Sequence, residues 1–366
     1  MSEKVTDLLH FFDEKQFQND LISWYQKEQR TLPWRENQDP YRVWVSEIML
    51  QQTRVDTVIP YFKRFMNQFP TVEALASADE ADVLKAWEGL GYYSRARNLQ
   101  SAVQEVAASY GGIVPNTPNE IAKLKGVGPY TAGAILSIAY DIPEPAVDGN
   151  VMRVLSRIIG IWEDIAKPSA RKTFEEVTRR IISQKDPSSF NQGMMELGAI
   201  VCTPKSPSCL LCPVQEHCRA FSEGSQEELP IKSKKKAPRP VPIAVLALED
   251  SEGNFMIRQR PETGLLASLW EFPNVELVEG GLKEDQLKKH IQEVYNVQAT
   301  IKEEIASFNH IFSHLKWQLT VFRGGFQGEL DDNNAQLVNS NDLEKYAFPV
   351  AYQKIVKMIL EGDEKS

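Results

Sequence analysis

Apolar residues recur at three- and four-residue intervals through the first part of the chain, as in Val55, Val58, Ile59, Phe62, Phe65 and Met66. That spacing marks amphipathic helices buried along one face, so residues from about 7 to 222 predict an almost wholly helical domain. Clusters at Pro115–Pro118, Gly126–Pro129 and Pro143–Pro145 separate its segments, because these residues break or cap helices. Beyond residue 240 the period moves toward two. Val241–Leu248, Phe255–Arg260 and Leu315–Phe322 read as strands, with helices near 282–294 and 349–361. This order predicts a separate α+β domain over 241–366.

Between them, residues 223–240 are first Glu-rich and then carry Lys232, Lys234, Lys235, Lys236 and Arg239 with Pro238 and Pro240. A linker is the expected reading, and it fits equally a basic strap along a phosphate backbone and a merely solvated connection. A length of 366 residues agrees with two domains. The N-terminal residues mix apolar positions with Glu3, Asp7, Asp13 and Glu14, without a signal-peptide core, and no apolar run reaches spanning length. A cytoplasmic monomer without membrane contact is expected. The formal net charge of −9 argues mildly against a nucleic-acid partner, although phosphate contacts depend on where charge sits rather than on its sum.

All four cysteines fall in one stretch, Cys202, Cys209, Cys212 and Cys218, spaced C-x6-C-x2-C-x5-C. Such clustering reads as a metal site, and four thiolates suit zinc or an iron–sulfur cluster. Only Cys209 and Cys212 form the close pair that zinc ribbons use twice.

The string Leu124-Lys125-Gly126-Val127-Gly128-Pro129-Tyr130-Thr131-Ala132-Gly133 lies between helical stretches. Gly126 and Gly128 permit a tight turn, Pro129 suits a first helical turn, and outward amides there can bind a DNA phosphate. Further on, Asp148 precedes an apolar-periodic helix, where capping is the ordinary role of an aspartate. Glu47 lies among Val45, Ile48 and Leu50, surroundings that disfavour its anion and raise its pKa.

The hairpin string closely resembles the helix-hairpin-helix motif of base-excision DNA glycosylases. Within that superfamily, Leu32-Pro33-Trp34-Arg35, residues Trp44 to Val55 and Gly89-Leu90-Gly91-Tyr92-Tyr93-Ser94-Arg95-Ala96-Arg97 resemble the MutY-type adenine DNA glycosylases. Endonuclease III, a near relative, has no acid matching Glu47. The resemblance implies a [4Fe–4S] cluster on the four cysteines, and double-stranded DNA with adenine opposite 8-oxoguanine or guanine as partner. It makes Glu47 the acid that protonates adenine and Asp148 the carboxylate that stabilises an oxocarbenium-like transition state, with Tyr130 and Asn150 orienting Asp148. Strand-cutting relatives place a lysine at the position of Tyr130, so a monofunctional enzyme is implied. Arg30, Trp34, Arg35, Leu50 and Gln192 match positions around the flipped base. Gln52 and Tyr92 match those that fill the vacated stack. Thr53, Gly126 and Gly128 complete the expected DNA contacts.

In the second domain, residues Gly264 to Pro273 resemble the start of a Nudix domain. The segment Lys289 to Val297 keeps one acid, Glu293, too few to hold the magnesium of a hydrolase. The resemblance implies instead a domain that recognises 8-oxoguanine through Phe312, Ser313 and His314. The competing readings are a pyrimidine-damage glycosylase/lyase, opposed by Tyr130 and Glu47, and a Nudix hydrolase, opposed by the depleted helix. A non-catalytic DNA binder would need no Glu47–Asp148 pair.

Overall fold

The computed structural model describes residues 3–234, 236–328, 330, 332 and 334–363. Lys235, within the expected linker, lies outside the described residues. The chain forms two compact units, Met1–Ser77 with Asn98–Lys234, and Ala78–Arg97 with Lys235–Ser366.

The first unit is helical, as the period predicts. In the helix Val55–Gln68, Val58, Phe62, Phe65 and Met66 are buried. Three elements position the site. The helix Pro40–Leu50 begins at Asp39, whose carboxylate caps the Arg42 amide, and it buries Tyr41 and every residue from Val43 to Met49. The helix Pro129–Tyr140 starts from the Gly126–Gly128 turn and is buried from Thr131 to Ile138. The helix Gly149–Leu155 follows Asp148 and runs into a π-turn over Ser156–Gly160. An apolar core joins Phe17, Leu21, Val151, Leu155, Phe174, Phe190 and Leu197, with Cys202, Cys212 and Cys218 packed against it.

Two further devices hold the stretch before Asp148. A Cβ on Gly133 would lie 2.0 Å from the Pro145 carbonyl oxygen, so only glycine lets the chain pass there. Buried Asn191 accepts the Ala146 amide at 3.3 Å and donates to the Glu144 carbonyl at 2.8 Å.

Much of the expected linker is not a free connection. The Ile165 amide donates to the Ile231 carbonyl at 3.0 Å, and the Ser233 amide to Asp164 Oδ1 at 3.1 Å. These bonds keep the chain up to Lys234 within the first unit. Arg239 already belongs to a strand.

Among the described residues, the second unit holds seven strands: β1 (Arg239–Glu249), β2 (Asn254–Gln259), β3 (Trp270–Glu271), β4 (Asn274–Glu276), β5 (Gln298–Ile311), β6 (Leu315–Gln327) and β7 (Ala335–Asn339). Their order is β3-β2-β1-β6-β5, with β4 paired to β1 and β7 to β2. β1 and β6 run parallel and the other pairs antiparallel, so the sheet is mixed. The helix Lys283–Tyr295 packs Leu287, Ile291 and Tyr295 onto one face, against Leu246 and Met256. The helix Val350–Asp363 covers the other with Tyr352, Ile355 and Ile359, against Ile243 and Val245. Burial on both faces explains why β1 reads as a nearly unbroken apolar run. β5 escapes the period-two reading because bulges at Ile301/Glu303 and Glu304/Ala306 break its alternation.

Residues 78–97 group with this second unit, a division that linear reading of the chain does not anticipate. The Phe348 amide donates to Glu88 Oε1 at 2.8 Å, the Tyr93 hydroxyl to the Phe348 carbonyl at 3.2 Å, and Arg97 to the Glu262 carbonyl at 2.8 Å.

Candidate active site

A pocket of about 660 Å³ in the first unit collects residues from six separate stretches of sequence. The expected positions Arg30, Trp34, Arg35, Glu47, Leu50, Gln52, Thr53, Gly126, Gly128, Tyr130, Asp148, Asn150 and Gln192 all line it.

Glu47 is only 5% exposed. Burial raises its pKa to about 7, with nearby Asp148 acting in the same direction, while a hydrogen bond from Tyr130 and the charge of Arg35 act in the other. A carboxyl poised there is half protonated near neutrality and can deliver a proton to a bound group. The Tyr130 hydroxyl donates to Glu47 Oε2 at 2.5 Å and also contacts Met195 Sδ at 3.2 Å. Burial, followed by the charges of Glu47 and Asp148, pushes the phenol well above its usual pKa, so Tyr130 remains a neutral donor.

Asp148 caps its helix, accepting the Val151 amide at 2.7 Å. Burial raises its pKa, against the lowering effect of the Val151 and Asn150 amides and of Arg153 and Arg171. The structure gives Tyr130 and Asn150, the side chains expected to orient Asp148, other hydrogen-bond partners. The phenol is spent on Glu47, and Asn150 Oδ1 accepts from Arg153 Nη2 at 3.0 Å. Asn150 serves Asp148 through its backbone amide instead.

The two hairpin glycines differ. Gly126 has φ +80°, and a Cβ there would lie 2.9 Å from the Asn98 Cβ. A Cβ on Gly128 would meet nothing within 4 Å; the protein itself does not demand glycine there. Gln52 and Tyr92 are non-glycine residues at positive φ, 59° and 48°, and such strain concentrates at functional positions.

Among the lining residues that sequence reasoning did not assign are Arg171, Met195 and Glu196. Arg171 donates to the Val147 carbonyl at 2.9 Å, beside Asp148. Glu196 is 1% exposed. Burial would raise its pKa, but hydrogen bonds from Arg30 and Arg35 hold it at about 2. A lone glutamate in the apolar run Met194-Met195-Glu196-Leu197 is the same signal that singled out Glu47.

The four cysteines line one cavity elsewhere in this unit. Among the described residues, no three His, Cys, Asp or Glu side chains converge closely enough for a single metal ion. Four thiols lining one cavity are a donor set that fits an iron–sulfur cluster. Arg157 Nη1 donates to Cys202 Sγ at 3.3 Å, a charged partner suited to thiolate.

In the second unit, Tyr92, Phe312, Ser313 and His314 line a cavity of about 340 Å³. The Tyr92 and Ser313 hydroxyls lie 2.9 Å apart, and Phe312 meets Trp317 edge-on at 4.8 Å. Glu293 is ion-paired with Lys289 at 3.8 Å on an exposed helix face.

Comparison with known proteins adds the following. Residues 45–180 match the HhH-GPD superfamily of base excision DNA repair proteins, 202–218 the iron-sulfur binding domain of endonuclease III, and 244–358 the NUDIX domain. The rat adenine DNA glycosylase is 37% identical over 372 residues, spanning 87% of this chain and 72% of its own. The human adenine DNA glycosylase is 36% identical over 370 residues, spanning 86% of this chain and 67% of its own. The solved structure of a thermostable thymine-DNA glycosylase superposes with a TM-score of 0.53 at 27% identity, covering 57% of this chain and 97% of that one. No helix among the described residues is long and apolar enough to cross a membrane.

Proposed function

The chain belongs to the adenine DNA glycosylase family, and from that premise we propose that its first-unit pocket cleaves the N-glycosidic bond of an adenine flipped out of a DNA mispair. The observation that carries this reading is the pairing of a buried, protonatable Glu47 with Asp148 in one cavity. Adenine leaves deoxyribose slowly unless its ring is protonated, so Glu47 donates its proton to a ring nitrogen. The bond between C1′ and the base then breaks, and its electron pair departs with the adenine. Positive charge develops on the sugar, where the Asp148 carboxylate stabilises it. Water adds at C1′, and Glu47, now ionised, takes the proton that water releases.

A base inside the duplex cannot reach Glu47 and must be extruded, at a cost of a few kcal/mol. Gln52 at the pocket rim and Tyr92 in the second unit are the side chains we assign to the vacated stack. Arg30, Trp34, Arg35, Leu50 and Gln192 shape the base pocket. Gly126 and Gly128 bring backbone amides to a phosphate, with Thr53 beside the pocket.

The opposite base is 8-oxoguanine or guanine in this reading. Its support is the hydroxyl pair Tyr92–Ser313 beside Phe312 and His314, donors and an aromatic face suited to an altered purine edge. Cys202, Cys209, Cys212 and Cys218 hold the [4Fe–4S] cluster. With all four thiolates engaged, such a cluster would order the loop that carries them rather than bind substrate. Tyr130 cannot form a Schiff base, so the enzyme releases the base without cutting the strand.

The test uses duplexes with adenine opposite 8-oxoguanine, guanine or thymine, incubated with the protein and then treated with alkali. Adenine release from the first two supports the proposal. No release from any of them sinks it.

A further inference from the structure

Glu196 stands apart from the Glu47–Asp148 chemistry, yet it is the most deeply paired carboxylate in the pocket. Its Oε1 accepts Arg30 Nε at 2.7 Å and the Arg30 backbone amide at 3.1 Å. Its Oε2 accepts Arg30 Nη2 and Arg35 Nη2, each at 3.0 Å. Arg35 Nη1 donates in turn to the Arg30 carbonyl at 3.1 Å, and its guanidinium lies 5.4 Å from the Tyr25 ring centroid. One carboxylate from the helix Pro187–Ile200 thus ties down the segment 30–35 and both pocket arginines.

We infer that Glu196 is a positioning residue for base removal: it locks Arg30 and Arg35 in place and offsets one of their two charges, so that neighbouring Glu47 keeps the proton it must donate. Two guanidiniums, that of Arg35 more enclosed than that of Arg30, and one carboxylate sum to a single positive charge, and without Glu196 the sum doubles. An uncompensated cation favours the ionised form of a nearby acid. The groups facing Glu47 are Tyr130, Asp148 and Arg35. Those facing Glu196 are Arg30, Arg35 and Tyr25. Asp56 acts on Arg30, Asp186 on Tyr25, and Arg153 and Arg171 on Asp148; Glu196 is the carboxylate that touches both pocket arginines.

The inference rests on the reading of Glu47 as general acid, and the experiment separates the two. Single-turnover adenine release by the iron-loaded protein is followed against pH. The unmodified protein declines above about pH 7. Glu196→Gln moves that decline toward acid by about one pH unit, lowering the rate about tenfold near pH 8 and only about twofold near pH 6. Glu196→Asp keeps the charge and leaves the midpoint in place, with a lower rate throughout. A structural role alone would reduce the rate equally at every pH. Glu196→Gln with normal iron content and an unmoved midpoint overturns the inference. Should Glu196→Gln not fold alone, it is compared in an Arg30→Gln background, where one fewer cation is stranded. There the midpoint falls by a similar amount relative to Arg30→Gln by itself, and equal midpoints overturn the inference. An unmodified protein with no alkaline decline overturns the general-acid reading itself, and this inference with it.

Discussion

The Tyr130 hydroxyl donates to Glu47 Oε2 at 2.5 Å, so the phenol serves the acid and not the aspartate. That bond favours the Glu47 anion, against burial and Asp148. Tyr130→Phe therefore raises the Glu47 pKa further. The alkaline decline of adenine release shifts upward by on the order of one pH unit. A pH–rate profile of the variant checks this, and a downward shift contradicts it.

Glu47→Gln removes the proton donor and lowers adenine release by about 10²–10⁴-fold. Its effect on stability has a definite sign. The folded-state pKa, about 7, lies above the ordinary glutamate value of 4.5, so the folded protein holds this proton more tightly than the unfolded chain. That contribution is complete below about pH 4.5 and is lost as pH rises through about 7. Relative to the unmodified protein, Glu47→Gln gains on the order of 3 kcal/mol between about pH 5 and about pH 8. Denaturant titrations at those two values measure it.

Asp148 has two jobs that asparagine separates. Asparagine caps a helix about as well as aspartate, so the Val151 contact survives. Asp148→Asn leaves stability within about 1 kcal/mol while lowering adenine release by roughly 10²–10³-fold, since its charge is gone. A large loss of stability with activity retained would reverse the assignment.

The hairpin glycines should respond differently. Gly126→Ala strains a backbone at φ +80° and drives a Cβ into Asn98, costing about 1–3 kcal/mol of stability. Gly128→Ala meets no protein atom, so stability holds while DNA affinity falls if a phosphate approaches that backbone. Thermal melts and salt-dependent DNA titrations distinguish the pair.

Ser313→Ala removes the hydroxyl partnered with Tyr92. The preference for adenine opposite 8-oxoguanine over adenine opposite guanine falls about 3- to 10-fold, the worth of one hydrogen bond, while release opposite guanine is nearly unchanged. Competition between the two duplexes reads this ratio. An unaltered ratio removes Ser313 from 8-oxoguanine recognition.

Much of the candidate site was legible because its signals are local. A glutamate at a buried helical position must tend toward its neutral form, and Glu47 does. An aspartate before a glycine and an apolar-periodic helix caps it, and Asp148 does. The three strands and two helices expected beyond residue 240 lie close to where periodicity placed them. β5 was not legible, because its bulges and its exposed edge position interrupt the alternation that marks a strand.

The sequence by itself determined the helical first unit, the clustered thiols, the buried setting of Glu47 and the capping position of Asp148, since helix period, capping and burial depend on neighbours a few residues away. Only the tertiary structure decided that Tyr130 faces Glu47, that Glu196 binds Arg30 and Arg35, and that residues 78–97 group with the second unit. Each depends on groups far apart along the chain meeting within 3.5 Å, and no local pattern specifies which distant partner a hydrogen bond or charge will find. The acid was readable from its own helix; what sets its proton was not.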